Sequence, residues 1–433
     1  MRLLALIAAV IAAVTLPYSP LGVDVPLVAT LVAATIAMGS SPSLDRVLFG
    51  ALALALAAVP AVLDARWVTS IDIVAACLLA AVAVAGPRAI SLAAPFSALD
   101  RLPELMPPLP LGSTAVLRGV VLGTVLVVPF GALFWSADAA FAHVAESTPL
   151  PSMSSLPGRL VIFALVLLGA LGLALASRRS FWDLPFPSAT FGLSEWAIPL
   201  VLLDLLFLAF VLVQVAVLFG GHDHVLQTAG LTYAEYARQG FWQLIVAAVL
   251  TFAVVAAAAR VAHPRSAAER GLLRALAGSL CVLTIVIVAS ALHRLALYEE
   301  AFGLTRMRLA AETFSWALGG LFALLLLAGA FPALRRELAR VAVAAAALGL
   351  LAFSLSNPDG RIAQRNVDRW RHTSNLDVSY LQGLSADAVL TLADLPEPLL
   401  SVVLAPLEAR LAGDEPWSSA NYSRRRARQL LDR

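Results

Sequence analysis

Apolar runs of membrane-spanning length recur through most of this 433-residue chain, and they limit its fold more than any other feature. At about 1.5 Å of rise per helical residue, crossing a hydrocarbon core of about 30 Å takes roughly 20 apolar residues. Candidate spans lie near residues 2–16, 25–38, 46–63, 70–85, 114–135, 159–177, 195–219, 239–259, 271–293, 307–330 and 337–355. Inside lipid every backbone N–H and C=O must find its partner within the segment, and a helix does this. The expected class is therefore all-α: a polytopic integral membrane protein with about eleven transmembrane helices. The chain is 60% hydrophobic and only 13% charged, against about a quarter charged in soluble domains.

The segment GPRAISLAAPFSALDRLPELMPPLPLGS is rich in proline and reads as a boundary. It divides a four-span region, 1–85, from a seven-span core, 114–355, with 86–113 as linker. The start, MRLLALIAAVIAAVTLPYSP, has the form of a signal peptide. Further spans follow at once and no small-residue cleavage site stands out, so a retained helix is expected. After Phe353 the pattern breaks at SNPDGR, and 356–433 is expected to form a polar helical C-terminal domain from VSYLQGL, SADAVLTLADL, LLSVVLAPLEARLAG and SRRRARQLLDR. Two capping boxes are visible, Ser266-Ala-Ala-Glu269 and Thr232-Tyr-Ala-Glu235, marking helix starts.

All the basic residues are arginine, which is read as genome composition before function. Their placement carries more information. With the N-terminus in the cytoplasm, most of the span-flanking arginines fall inside, in AARVAHPRSAAERGLLR and LRRELAR above all. An odd number of spans then places the C-terminal domain outside a bacterial cell membrane. Cys77 and Cys281 each lie within an apolar run, so no disulfide framework is indicated.

Under that orientation one face gathers Asp138, Glu235, Arg238, Arg294, Glu299, Arg306, Arg308 and Glu312 as ligand-binding candidates. Tyr233, Tyr236 and Trp242 beside them fit an interfacial aromatic belt. Glu312 lies one turn inside its span, with Arg308 four residues earlier on the same face. Asp204, in PLVLLDLLFLAF, is deeper and has no charged neighbour in its own helix. Intramembrane acids are functional candidates or structural ion pairs, and both readings stay open. His222-Asp223-His224 lacks a third ligand, so no metal is expected. No phosphate-cradling loop, nucleophile elbow or zinc spacing occurs, and neither a cofactor nor nucleic acid is expected. The expected partners are the bilayer and a membrane protein or small ligand.

The segments SADAAFA (136–142), LTYAEYARQGFWQL (231–244), AFGLTRMRL (301–309), NVDRW (366–370), LDVSYLQGLSADAV (376–389) and NYSRRRARQLL (421–431) occur together in order. In this the chain resembles a widespread bacterial family of polytopic membrane proteins classified as a domain of unknown function. The likeness covers about residues 115–433, and its most specific part is the Tyr-Ala-Glu-Tyr-Ala-Arg segment. The resemblance implies an architecture and a bacterial inner membrane but no activity. Three functions are in play: a transporter-like or sensory module with a site on the extracytoplasmic face, a membrane scaffold subunit, and a lipid-linked transferase acting on the outer face. Whether the chain is an enzyme is open at this point.

Overall fold

Apolar composition becomes helix wherever the expected spans can be followed. The computed structural model describes residues 20–38, 43–85, 114–137, 141, 191–219, 241–413 and 415–431. Its long helices are α1 (Asp24–Met38), α2 (Leu44–Ala58), α3 (Arg66–Ala85), α4 (Thr114–Ala137), α5 (Leu193–Phe219), α6 (Phe241–Val261), α7 (Ala267–Phe302), α8 (Arg306–Ala330) and α9 (Pro332–Leu355). Among the described residues, six stretches are long and apolar enough to cross a membrane: Leu44–Ala61, Leu193–Val215, Phe241–Val261, Ala267–Phe302, Arg306–Ala330 and Pro332–Leu355. The expected spans near 2–16 and 159–177 lie outside the described residues, as does the 86–113 linker. The polar end of the chain forms α10 (Pro358–Thr373), α11 (Val378–Gln382), α12 (Val389–Leu392), α13 (Leu399–Leu411) and α14 (Tyr422–Leu431). No strand occurs among the described residues; an isolated bridge joins Phe191 to Ala262.

These helices group into two compact units. One contains α4–α7 and α8 from Phe314. The other contains α1–α3, the beginning of α8, α9 from Glu337, and α10–α14.

In the first of these, close approach of α4 and α5 depends on Gly119 and Gly123, one helical turn apart. A Cβ on Gly119 would fall 2.2 Å from the Ser194 carbonyl oxygen, and one on Gly123 would fall 2.6 Å from Leu202 Cδ1. Lipid is as apolar as leucine, so helices associate in it through such tight packing rather than through a hydrophobic drive. Further along, Phe134 stacks on Phe210 with ring centroids 4.2 Å apart and meets Phe207 edge-on at 4.9 Å. Helix α7 has 36 residues, a length of about 54 Å that exceeds the hydrocarbon core. Its start is capped as the sequence suggests: Glu269 N–H donates to Ser266 Oγ at 3.1 Å. The Glu269 carboxylate accepts from Arg265 N–H, one residue before the position a standard capping box uses. The Thr232–Glu235 box lies outside the described residues.

In the other unit, Phe49, Leu52 and Leu56 of α2 pack with Leu79 and Val82 of α3 and with Ala347 of α9. A second core joins Ile362, Leu381, Leu392, Leu404, Leu407 and Ala427 to Leu304 and Leu309. The C-terminal helices thus share a core with the start of α8 and form a cap upon it. Hydrogen bonds extend the attachment. Val23 N–H donates to Ala420 O, Ser423 N–H to Val62 O, and Asn421 Nδ2 to Pro60 O. The cap therefore meets the start of α1, the end of α2, and the starts of α3 and α8, while α9 leads into it. Those five helix ends lie together at the cap.

The link between α7 and α8 is shaped for this cap. Gly303 has φ +78°, and a Cβ there would lie 2.3 Å from Asn366 Oδ1. The Asn366 amide donates to Leu304 O at 2.7 Å and to Ile362 O at 2.8 Å. Gly303→Ala should cost about 1–2 kcal/mol for the left-handed backbone, with the Asn366 clash added. Thermal unfolding and limited proteolysis of the detergent-solubilised chain provide the check, with earlier cleavage expected within 356–431. Unchanged protection there would contradict the account of this turn.

Candidate functional site

Polar groups concentrate where the cap meets the helix ends, and Asp359 lies at the centre. The sequence Asn357-Pro358-Asp359-Gly360 starts α10: Asn357 is the N-cap, accepting from Gly360 N–H at 2.9 Å, and Pro358 occupies the first turn. This places Asp359 in that turn with no exposed surface. Its carboxylate accepts from Trp67 Nε1 at 2.9 Å, Arg306 Nε at 3.0 Å, Arg306 Nη2 at 2.5 Å and Ser385 N–H at 2.9 Å. Arg306 also donates through Nη2 to Gly383 O, while its backbone N–H donates to the Tyr380 hydroxyl at 2.6 Å. Burial pushes the Asp359 carboxyl up, but the Arg306 hydrogen bonds and charge, with Trp67 and Ser385, outweigh it and hold the group below the usual carboxylate range.

A second acid behaves oppositely. Asp387, in the turn before α12, accepts from Asp64 N–H, from Ala65 N–H at 2.8 Å and from Ser385 Oγ at 2.7 Å. Burial raises its carboxyl above the ordinary range despite these donors. Asp64 in turn pairs with Arg424 at 2.6 Å, and Arg424 also holds Glu415 at 2.6 Å. The seam joins residues 20–24, 59–67, 302–309 and the whole cap into one network.

The sequence candidates separate into three groups. Arg306 belongs to the seam. Arg308 turns back to the Gly303 carbonyl and lies 6.0 Å from the Phe302 ring centroid. Glu312 is half-buried a turn later on α8. In the other unit Arg294 is 3% exposed and donates to Ala137 O and Gln214 Oε1, both at 2.9 Å, while Glu299 is half-buried near the end of α7. Asp138, Glu235 and Arg238 lie outside the described residues, as do His222 and His224.

Asp204 stands apart. It is 8% exposed, within a helix of 27 residues. Neither carboxyl oxygen has a hydrogen-bond partner among the described residues. Ser279, on α7, is near enough to influence the carboxyl without closing a hydrogen bond on it. Asp72 on α3 offers a comparison: it is fully buried, Oδ1 accepts from Ser354 Oγ at 2.9 Å, and Oδ2 has no partner among the described residues.

Sequence reasoning did not single out Asp359, Asp387, Asp64, Tyr380, Trp67 or Arg424. Asp359 had a local signal, an acid just behind an Asn-Pro helix start, and Tyr380 lay in a segment that carried the family resemblance. Arg424 likewise lay in such a segment, NYSRRRARQLL, whereas Asp64, 360 positions away, had no signal.

Removing Arg306 leaves a buried carboxylate unpaired. Arg306→Ala should therefore destabilise the cap by about 3 kcal/mol, the low end for a buried pair because Arg306 is partly exposed. Arg371→Ala breaks a half-exposed pair with Asp368 and should cost no more than about 0.5 kcal/mol. Equal losses in denaturant titrations of the two variants would contradict this ranking.

The two acids also predict a pH response. The folded value of Asp359 is lowered, so its stabilisation is complete above its ordinary value of 3.8 and is lost as pH falls through the folded value. The folded value of Asp387 is raised, so its contribution is present below 3.8 and declines as pH rises through the folded value. Asp387→Asn should thus flatten the stability profile on the mildly acidic side, whereas Asp359→Asn should flatten it below pH 3.8. Unfolding midpoints across pH check both.

Comparison with known proteins yields a single family. No functionally described protein and no solved structure matches the chain. The sequence profile of a family described as a domain of unknown function, DUF4153, matches residues 50–395. The match takes in most of α2 and all of α3, ahead of the region where the resemblance was noted, and it ends before NYSRRRARQLL. It includes Trp67, Arg306, Asp359, Tyr380 and Asp387, so most of the Asp359 seam lies within the matched region. The chain belongs to the DUF4153 family.

Proposed function

We propose that this chain is a non-enzymatic, transporter-like or sensory membrane protein in which Asp204 takes up and releases a proton inside the membrane. One observation supports the reading: both Asp204 oxygens are buried without a hydrogen-bond partner among the described residues, on an apolar helix. An acid retained only for structure is expected to be paired or hydrogen-bonded at such depth, as Asp359 is in the seam. A charged carboxylate at Asp204 would lack that compensation. The same reading places the cap on the extracytoplasmic side of a bacterial inner membrane, because arginines favour the opposite helix ends. There the cap and the connectors around Arg306 and Arg308 offer a surface to a ligand or partner.

A scaffold role is the second reading, and a different observation favours it: Arg306, Arg340 and Arg424 are all closed on carboxylates. Arg306 gives no support to phosphate chemistry in a lipid-linked transferase, since Asp359 already holds its guanidinium.

Asp204→Asn discriminates between the first two readings. The variant should fold with an unchanged or slightly higher melting temperature, because an unpartnered buried acid contributes no stability. Reconstituted in vesicles with an internal pH dye, it should lose the proton uptake that the unaltered chain shows under an imposed pH gradient. Equal uptake by both proteins, or none by either, would overturn the proton reading and leave the scaffold. Topology is tested separately by Ser401→Cys on the exposed face of α13, with Cys77 and Cys281 replaced by alanine. A membrane-impermeant maleimide should label it in intact cells, and labelling only after lysis would reverse the orientation.

A further inference from the structure

Helices α1, α2 and α3 enclose a cavity of about 800 Å³ between them. Among the described residues its wall is apolar, with residues such as Val28, Val32 and Ile73, except for the Cys77 thiol and one charge, Arg46. On α2 the lining residues Arg46, Gly50, Ala53 and Ala57 recur at helical spacing, so the cavity follows one face of that helix. From Arg46 to Ala57 the rise is about 16 Å, close to the depth of one leaflet in a hydrocarbon core of about 30 Å. Arg46 lies in the first turn of α2, at the end of the span. The cavity therefore has a long apolar body and a guanidinium at the level where acyl chains give way to headgroups.

Two further observations bear on what fills it. A Cβ added to Gly50 would meet nothing within 4 Å, so open space adjoins the backbone in mid-cavity. Asp45, the acid next to Arg46, is held by Arg340, which also holds Glu337. Arg46 is therefore not the sole counter-charge of Asp45. A polar solute would find almost no hydrogen-bonding groups along this wall. A cavity of this volume and lining, with one placed polar group, has the general form of a ligand site.

We infer that the cavity binds an anionic phospholipid from the leaflet on the Arg46 side, with its tails along α2 and its phosphate on Arg46. The arginine distribution makes that leaflet the cytoplasmic one, where basic pockets between membrane helices take anionic headgroups. The site is independent of Asp204 and of the direction of any transport.

Native mass spectrometry of the full chain tests the inference, after extraction in mild detergent and exchange with phosphatidylglycerol or phosphatidylcholine. The unaltered chain should retain phosphatidylglycerol about fivefold better, the preference expected for one basic residue at an anionic headgroup. Arg46→Gln should remove that preference while lipid binding itself persists. Gly50→Phe should fill the cavity and reduce retention of both lipids, and Gly349→Phe on α9, also in open space, should leave both unchanged. Should Gly50→Phe fail to fold, as judged by its melting temperature, Ala51→Leu replaces it and the Arg46→Gln comparison stands by itself. Equal retention of the two lipids by the unaltered chain, or a preference that survives Arg46→Gln, overturns the assignment. Retention indifferent to filling overturns it as well, and points to a second copy of the chain or the apolar segment 2–16 as the occupant.

Discussion

A carboxylate with no access to water decides how the polar end of this chain sits on its membrane helices. Asp359 is fully buried, and a charge so placed is tolerated only with an opposite charge and well-directed donors. Those donors come from three parts of the sequence, Trp67 at the start of α3, Arg306 at the start of α8 and Ser385 before α12, and all reach the first turn of α10 that carries Asp359. No one of these segments can satisfy the acid alone. The same pairing that neutralises Asp359 therefore brings the helix starts and the cap into register, and the Leu304–Leu309 core packs behind it.

The membrane helices of the other unit follow a different rule. Their backbone groups are satisfied internally, and association rests on surface shape. Gly119 and Gly123 let α4 and α5 approach until a single methyl group would clash, and the phenylalanines around Phe134 fill the space beyond. Polar atoms are few there, which makes the treatment of each informative. Arg294 is closed on Gln214 and a backbone carbonyl, whereas Asp204 has no donor among the described residues. Among the buried acids of the described residues, Asp204 alone has both carboxyl oxygens without a partner, which gives it functional weight.

Local signals were legible where chemistry is local. Ser266 caps α7 because a hydroxyl three residues ahead of Glu269 can reach its N–H without any tertiary contact. Arg306 and Asp204 were recognisable as unusual charges in apolar surroundings. Their opposite situations were not, since Arg306 finds its acid 53 positions away and Asp204 finds no partner among the described residues. The pairing of Asp64 with Arg424 was not legible, because nothing in either neighbourhood encodes a partner 360 residues distant. A run as rich in arginine as SRRRARQLLDR has by itself the composition of a solvated helix face, yet Arg424 is buried between Asp64 and Glu415.

The sequence by itself determined that this is an all-α membrane protein and where its helices run, since lipid obliges each long apolar segment to satisfy its own backbone. It also marked where the chain turns polar, because hydropathy changes abruptly at Asn357. Only the tertiary structure decided that this domain caps the ends of α1–α3 and α8, which charges neutralise one another, and that three helices leave a cavity headed by Arg46. Pairing and voids depend on distances between segments remote in sequence, and no local pattern of residues specifies them.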